Sequence, residues 1–160
     1  MAQIDYRIGD MFKGGHKYIA HGCNAQGVMG SGVAAIVKRK YYYAFKKYNE
    51  EHQKNGLRLG QVIRASVSHG KYDHCPPTIF NCITQNNYGT DQRYANYGAI
   101  QSCIKAIEEE MFLLHGCVET PEVAFPMIGA GLAGGDWGII SEIIEKNSTY
   151  FQPVVYDFTP

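Results

Sequence analysis

Two glycine-dense stretches carry the chemistry that can be read from this chain. One is Gly27-Val28-Met29-Gly30-Ser31-Gly32, leading into Val33-Ala34-Ala35-Ile36-Val37. The other is Ile128-Gly129-Ala130-Gly131-Leu132-Ala133-Gly134-Gly135, leading into Asp136-Trp137-Gly138-Ile139-Ile140. Each comes after a short apolar run and precedes a pattern of helical period. A strand, a glycine turn and a helix start together make an anion site. Glycine lets backbone N–H groups approach oxygen atoms closely, and the helix N-terminus adds a favourable partial charge. Two such loops on one sheet can hold two phosphates, or a diphosphate and the group attached beyond it. No Gly-Lys-Ser/Thr closes either loop, which excludes a Walker A site. The GxGxxG spacing of Gly129, Gly131 and Gly134 falls too late in the chain for a second βαβ unit to complete a dinucleotide fold.

The elements that would position these loops can be read from periodicity. Ile4, Tyr6 and Ile8 alternate as a strand ending at Gly9-Asp10. Tyr18-Ile19-Ala20 reads as a short second strand leading into His21-Gly22-Cys23-Asn24. Val33, Ile36, Val37, Tyr41, Ala44, Phe45 and Tyr48 keep one helical stripe, which Asn55-Gly56 ends. Strands are predicted over 61–68 and 78–84, with a loop or hairpin connection at 69–77 and a polar loop at 85–92. Tyr97, Ile100, Ile104, Ile107, Met111 and Leu114 stripe the clearest helix. A strand at 123–125 enters the second glycine loop, a helix carries Ile139, Ile140, Ile143 and Ile144, and Val154-Val155-Tyr156 ends the chain as a strand. The order β-β-α-β-β-α-β-α-β, with long helices between strands, predicts a largely parallel or mixed sheet covered on both faces. Both glycine loops would then lie at carboxyl ends of strands, where open α/β sheets bind ligands.

The 160 residues read as one domain spanning 1–160. Fifteen Lys and Arg balance fifteen Asp and Glu, so no global pull toward nucleic acid or anionic lipid is expected. A local basic patch, Lys38-Arg39-Lys40 with Lys46-Lys47, stands out against that balance. The run Tyr41-Tyr42-Tyr43 reads either as a stacking surface for single-stranded nucleic acid or as a half-buried helix face. No apolar run approaches the roughly 20 residues that span a bilayer, and no signal-peptide core opens the chain. Cys23, Cys75, Cys82, Cys103 and Cys117 are odd in number and form no CxxC pair, which fits free thiols in a reducing cytoplasm. His74-Cys75 with His115-Gly116-Cys117 lacks the usual zinc spacing, so no metal is expected.

The stretch His21-Gly22-Cys23-Asn24-Ala25-Gln26-Gly27-Val28-Met29-Gly30-Ser31-Gly32-Val33-Ala34 resembles the first ligand loop of the macrodomain family. Phe125-Pro126-Met127-Ile128-Gly129-Ala130-Gly131-Leu132-Ala133-Gly134-Gly135-Asp136-Trp137 resembles its second, phosphate-embracing loop, and Ile8-Gly9-Asp10-Met11 its adenine-reading element. The three motifs stand in the family's order over nearly the whole chain. The chain looks most similar to the branch of ADP-ribose 1''-phosphate phosphatases and ADP-ribosyl-glutamate hydrolases, including small phage versions. The resemblance implies a three-layer α/β/α fold around a mixed sheet of about six strands. It also implies a monomer that takes ADP-ribose or ADP-ribose 1''-phosphate, without a cofactor, a membrane or a nucleic-acid partner, in the cytoplasm (the host's, for a phage protein).

What the resemblance implies for single residues has a plainer reading beside it. Asp10, with Met11, would read the adenine, or Asp10 caps a turn. Asn24 would contact the distal ribose and take part in catalysis, or form an Asx turn. Gly30, Ser31, Gly32 and Val33 would face Ile128, Gly129, Ala130, Gly131 and Leu132 across the diphosphate. His21 matches a histidine implicated in catalysis and would serve the attacking water or the leaving group; otherwise it is a strand-end histidine bonded to backbone. Lys38 matches a nucleophilic lysine of the glutamate hydrolases, but the acidic partner that chemistry needs is replaced by Ala133, with Asp136 three residues on. Cys23 reads as a buried, unactivated thiol. Tyr156 matches an aromatic set against the adenine, and Trp137 reads as helix-to-sheet packing. The reaction implied is hydrolysis of the terminal phosphate of ADP-ribose 1''-phosphate. The rival readings are a non-catalytic ADP-ribose module and a hydrolase that removes ADP-ribose from modified macromolecules.

Overall fold

A computed structural model describes residues 2–68 and 75–157. The chain runs β1 (Asp5–Ile8), a single 3-10 turn (Met11–Lys13), β2 (Tyr18–Asn24), α1 (Gly32–Lys40), α2 (Tyr42–Asn55), β3 (Val62–Ala65), β4 (Thr78–Gln85), α3 (Tyr97–His115), β5 (Glu122–Pro126), α4 (Trp137–Lys146) and β6 (Gln152–Asp157). The six strands form one sheet in the order β1-β6-β5-β2-β4-β3. All pairs are parallel except β3 with β4. The predicted α/β architecture, with a mixed sheet of six strands, is the one observed.

Strand alternation sorts the core into two layers. Tyr18, Ala20, Phe80, Cys82, Phe125 and Val155 pack against α3 and α4, where Ile100, Ile104, Ile107, Met111, Ile140 and Ile144 are fully buried. Ile19, Ile79, Ala124 and Val154 turn to the other face, against Val37 and Ala44 of α1 and α2. Each fully buried aliphatic side chain contributes roughly 1.5–3 kcal/mol. Among the described residues no helix is long and apolar enough to cross a membrane.

Two expectations about the elements do not hold. The stripe from Val33 to Tyr48 is not one helix: it breaks at Tyr41 (φ −130°, ψ 68°). Tyr41 and Tyr43 both pack toward the sheet-side cluster, and residues two apart cannot share a face of a straight helix. The first predicted strand is present as β1, with its apolar alternation turned outward. β1 is an edge strand, and Ile4 is buried while Tyr6 and Ile8 are 55% and 86% exposed. Finally, β2 does not stop at Ala20. It continues through His21-Gly22-Cys23-Asn24, paired with β4 along its length. Part of the connection predicted at 69–77 lies outside the described residues.

Candidate functional site

β2 and β5 are neighbours in the sheet, and the chain leaves them in opposite directions. After β2 it passes to β3 and β4 on one side; after β5 it passes to β6 on the other. The carboxyl ends of these strands therefore open a crevice at a topological switch point. The loop after β2 and the loop after β5 form its two walls, and together with the end of β4 they enclose a cleft of about 510 Å³. The fold thus brings together two glycine loops that are about a hundred residues apart in sequence.

The cleft is built to receive anions on backbone N–H groups. Ser31 precedes α1 in extended conformation and its hydroxyl makes no capping bond. The first-turn N–H groups of α1, at Gly32, Val33 and Ala34, are left without intrahelical acceptors, and all three residues line the cleft. By contrast, Asn96 caps α3 through Ala99 N–H at 2.9 Å and Asp136 caps α4 through Gly138 N–H at 2.8 Å. Asp136 therefore does what a helix cap does. In the opposite loop, Gly135 N–H donates to Gly129 O at 2.7 Å and Gly134 N–H to Gly131 O at 3.1 Å, which closes the loop on itself. Among the described residues, the N–H groups of Gly129, Gly131, Leu132 and Ala133 make no hydrogen bond. Gly129 has φ +76°, and a Cβ there would stand 2.9 Å from Ile100 Cδ1, so only glycine allows this turn. Gly32, at φ +60°, brings α1 to 3.4 Å (from its would-be Cβ) of Leu132 Cδ1 across the cleft.

Asn24 lines the cleft, and its side chain is committed to its own loop. Its Nδ2 donates to Val28 O at 2.8 Å, and its Oδ1 accepts from Gln26 N–H at 3.0 Å and from the Tyr48 hydroxyl at 2.9 Å. Val33 lines the cleft and also packs against the buried cluster beneath α1 and α2. Gly30, Ser31, Ile128, Gly129, Gly131 and Leu132 also line it. Ala130 does not; it packs against the main core.

Three expected roles do not survive the geometry. His21 is the fourth of seven residues in β2 and faces the α1–α2 layer with its ring fully buried. Its Nε2 lies 2.7 Å from Asn81 Oδ1, and Asn81 Nδ2 donates to Ala44 O at 3.1 Å. Burial lowers its pKa to about 4. A neutral histidine sealed from the cleft cannot serve a water there. Tyr156 is 5% exposed with its hydroxyl 2.7 Å from His16 Nε2, so it offers no open ring face. Met11 is fully buried, which leaves only its backbone for a ligand. Asp10 caps the turn with one carboxylate oxygen, Oδ1, accepting from Phe12 N–H at 2.9 Å, which leaves its expected adenine contact compatible with the cap. Lys38 is exposed on α1 with its Nζ 4.2 Å from the Phe45 ring centre, outside the cleft. Ala133 does line the cleft, so no carboxylate stands there for a lysine adduct to use. Burial pushes the Cys23 thiol up, as an unactivated thiol requires. Trp137 meets Tyr6 edge-on and donates its indole N–H to the Tyr6 hydroxyl at 3.0 Å. Among the described residues no three potential ligands cluster for a metal; His74 lies outside them.

The third side of the cleft was not foreseen. Thr84 and Gln85, at the end of β4, and Tyr88, Gly89 and Thr90 in the polar loop line it. Thr84 is fully buried, and its Oγ1 has no hydrogen-bond partner. A Cβ on Gly22 would stand 2.8 Å from that oxygen, so the glycine makes room for the hydroxyl at the cleft floor. A signal was present: Gly22 sits in a strand interior, where glycine marks a close approach. No Asp, Glu, Lys, Arg or His lines the cleft among the described residues.

Known proteins resemble the chain both in sequence and in fold. The family model described as Macro domain matches residues 20–144. An uncharacterized 17.5 kDa protein of Enterobacteria phage T4 is 32% identical over 148 residues, covering 90% of this chain and 88% of that protein. The ADP-ribose 1''-phosphate phosphatase of Scheffersomyces stipitis is 25% identical over 151 residues, covering 85% of this chain and 86% of that protein. In fold, the macrodomain of Mycobacterium tuberculosis DarG superposes with a TM-score of 0.78 at 20% identity, covering 99% of this chain and all of that one.

Proposed function

The chain belongs to the macrodomain family, and from that premise we propose that its cleft binds ADP-ribose and hydrolyses the terminal phosphate of ADP-ribose 1''-phosphate. One observation carries the binding: two facing sets of unpartnered backbone N–H groups, from α1 and from the loop after β5, on an uncharged cleft. They suit a diphosphate, whose charge the helix N-terminus and the glycine turns offset without a cation. Similarity to proteins named as phosphatases of this ester supports the reaction.

The chemistry has to fit a cleft without an acid or base side chain. Phosphoryl transfer asks the protein mainly for positioning and for charge stabilisation. A water attacks phosphorus, the bond from phosphorus to the 1''-oxygen breaks, and the proton of the phosphate monoanion passes to the leaving oxygen. Backbone N–H groups hold the phosphate oxygens in line. The second ionisation of a phosphate ester lies near pH 6, so turnover falls as pH rises through about 6, with no histidine limb. The test is phosphate release from ADP-ribose 1''-phosphate between pH 5 and 9, beside calorimetric titration with ADP-ribose. Release with that profile supports the phosphatase. The lack of any Asp, Glu, Lys, Arg or His among the described lining residues favours one second reading, a non-catalytic ADP-ribose module. Binding without release would establish that module, and no binding would overturn both.

A further inference from the structure

We propose that the α1–α2 face docks the phosphate backbone of a nucleic-acid strand. The balanced total charge hides a strong segregation. Residues 38–64 hold eight of the fifteen Lys and Arg with two Asp or Glu, whereas residues 105–157 hold two Lys or Arg with nine Asp or Glu. The fold places the first group on α1, α2 and β3 and the second mainly on α3, β5 and α4, so the molecule has one basic and one acidic side.

Lys38, Arg39, Lys40, Lys46 and Lys47 are all exposed, and none forms an ion pair among the described residues. Of the basic group only Arg64 is so paired, with Glu110 at 2.8 Å. The dipole of α1 accounts for cations in that helix's last turn. It does not account for Lys46 and Lys47, which lie in the N-terminal half of α2, where a helix dipole gives cations no support. These two, with Arg64, Tyr43 and one carboxylate, Glu50, line a separate hollow of about 360 Å³, in which three cations outnumber the one acid. Tyr42, 60% exposed, stands between the two basic clusters. Cations without an ion pair, spaced over two helices, with an exposed aromatic ring among them, fit a repeating phosphate chain with stackable bases. An acidic peptide would use the cations and leave the ring without a purpose.

The face is also continuous with the cleft. Gly32 lines the cleft, and Lys38 lies six residues further along the same helix, a rise of roughly 9 Å. The inference stands apart from the reading of the cleft, because an unmodified strand tests it alone.

The experiment is fluorescence anisotropy of a labelled single-stranded DNA of roughly 20 nucleotides, titrated at several salt concentrations. The wild type is expected to bind at low salt, with log affinity falling against log salt by about 0.7 per phosphate neutralised. Lys46→Glu/Lys47→Glu is expected to weaken this about tenfold or more at low salt, with ADP-ribose binding by calorimetry unchanged. Lys46→Gln/Lys47→Gln, with an intermediate loss, guards against misfolding of the reversal variant. Three results would overturn the proposal: no strand binding by the wild type, equal binding by the variants, or displacement by poly-glutamate as effective as by DNA. Loss of ADP-ribose binding with strand binding intact would overturn the cleft reading and leave this one standing.

Discussion

At the scale of the residue, Thr84 is the side chain through which the cleft can be questioned most directly. Its hydroxyl is buried without a partner, a state that costs free energy unless something fills it. Thr84→Val should therefore hold or raise thermal stability, by about 1 kcal/mol, while lowering ADP-ribose affinity about tenfold or more, the worth of one hydrogen bond in a dry site. Thr84→Ser should restore binding. A melting curve and a calorimetric titration on the three proteins decide it; unchanged binding in Thr84→Val would remove the hydroxyl from the site. His21 behaves in the opposite way. It is neutral when folded, with a pKa of about 4, and it regains an ordinary value near 6.5 on unfolding. Its contribution is thus fully present above pH 6.5 and is lost as pH falls toward 4, to the extent of about 3 kcal/mol. Denaturant melts at pH 7 and pH 4.5 should show that loss, and His21→Ala should flatten it. The same variant should melt lower at pH 7, through the buried volume it removes. Any phosphate release per folded molecule should persist.

At the scale of the element, the start of α1 is where sequence and site meet. Gly32→Ala forces a Cβ into left-handed backbone, costing about 1–2 kcal/mol, and pushes it toward Leu132. Relaxation would swing the first-turn N–H groups away from the cleft. ADP-ribose affinity should fall about tenfold, and an unchanged value would remove α1 from the phosphate cradle. Elements were legible where period spoke: the stripe from Ile100 to Met111 matched α3, and both glycine loops lie where strands end. They were misread where one residue type has two uses. His21-Gly22-Cys23-Asn24 reads as a loop because Gly22 and Asn24 favour turns. In fact Gly22 makes room for Thr84 inside a paired strand, and that one extension buries His21. The end of β4 carried no signal of its own, and only Gly22 on the neighbouring strand hinted at it, because Thr84 and Gln85 acquire meaning only through that strand. No local pattern shows that β4 lies beside β2.

At the scale of the whole molecule, the site belongs to the sheet order more than to any segment. It exists because the chain departs from β2 and β5 toward opposite edges. A ligand that bridges the two loops ties together parts of the chain that unfold together. ADP-ribose at about a hundred times its Kd should raise stability by about 2.7 kcal/mol, read as a rise in melting temperature. The same architecture has a consequence for how such a site is searched for. In the proposed binding mode the groups that face the diphosphate are peptide N–H bonds, which every residue but proline possesses. Replacing Ser31, Leu132 or Ala34 one at a time with other small residues would leave the donors in place. An alanine scan confined to the non-glycine residues of the two loops would pass over that part of the site. What would reveal it is a scan that changes backbone shape, with proline or a β-branched residue placed at the two turns.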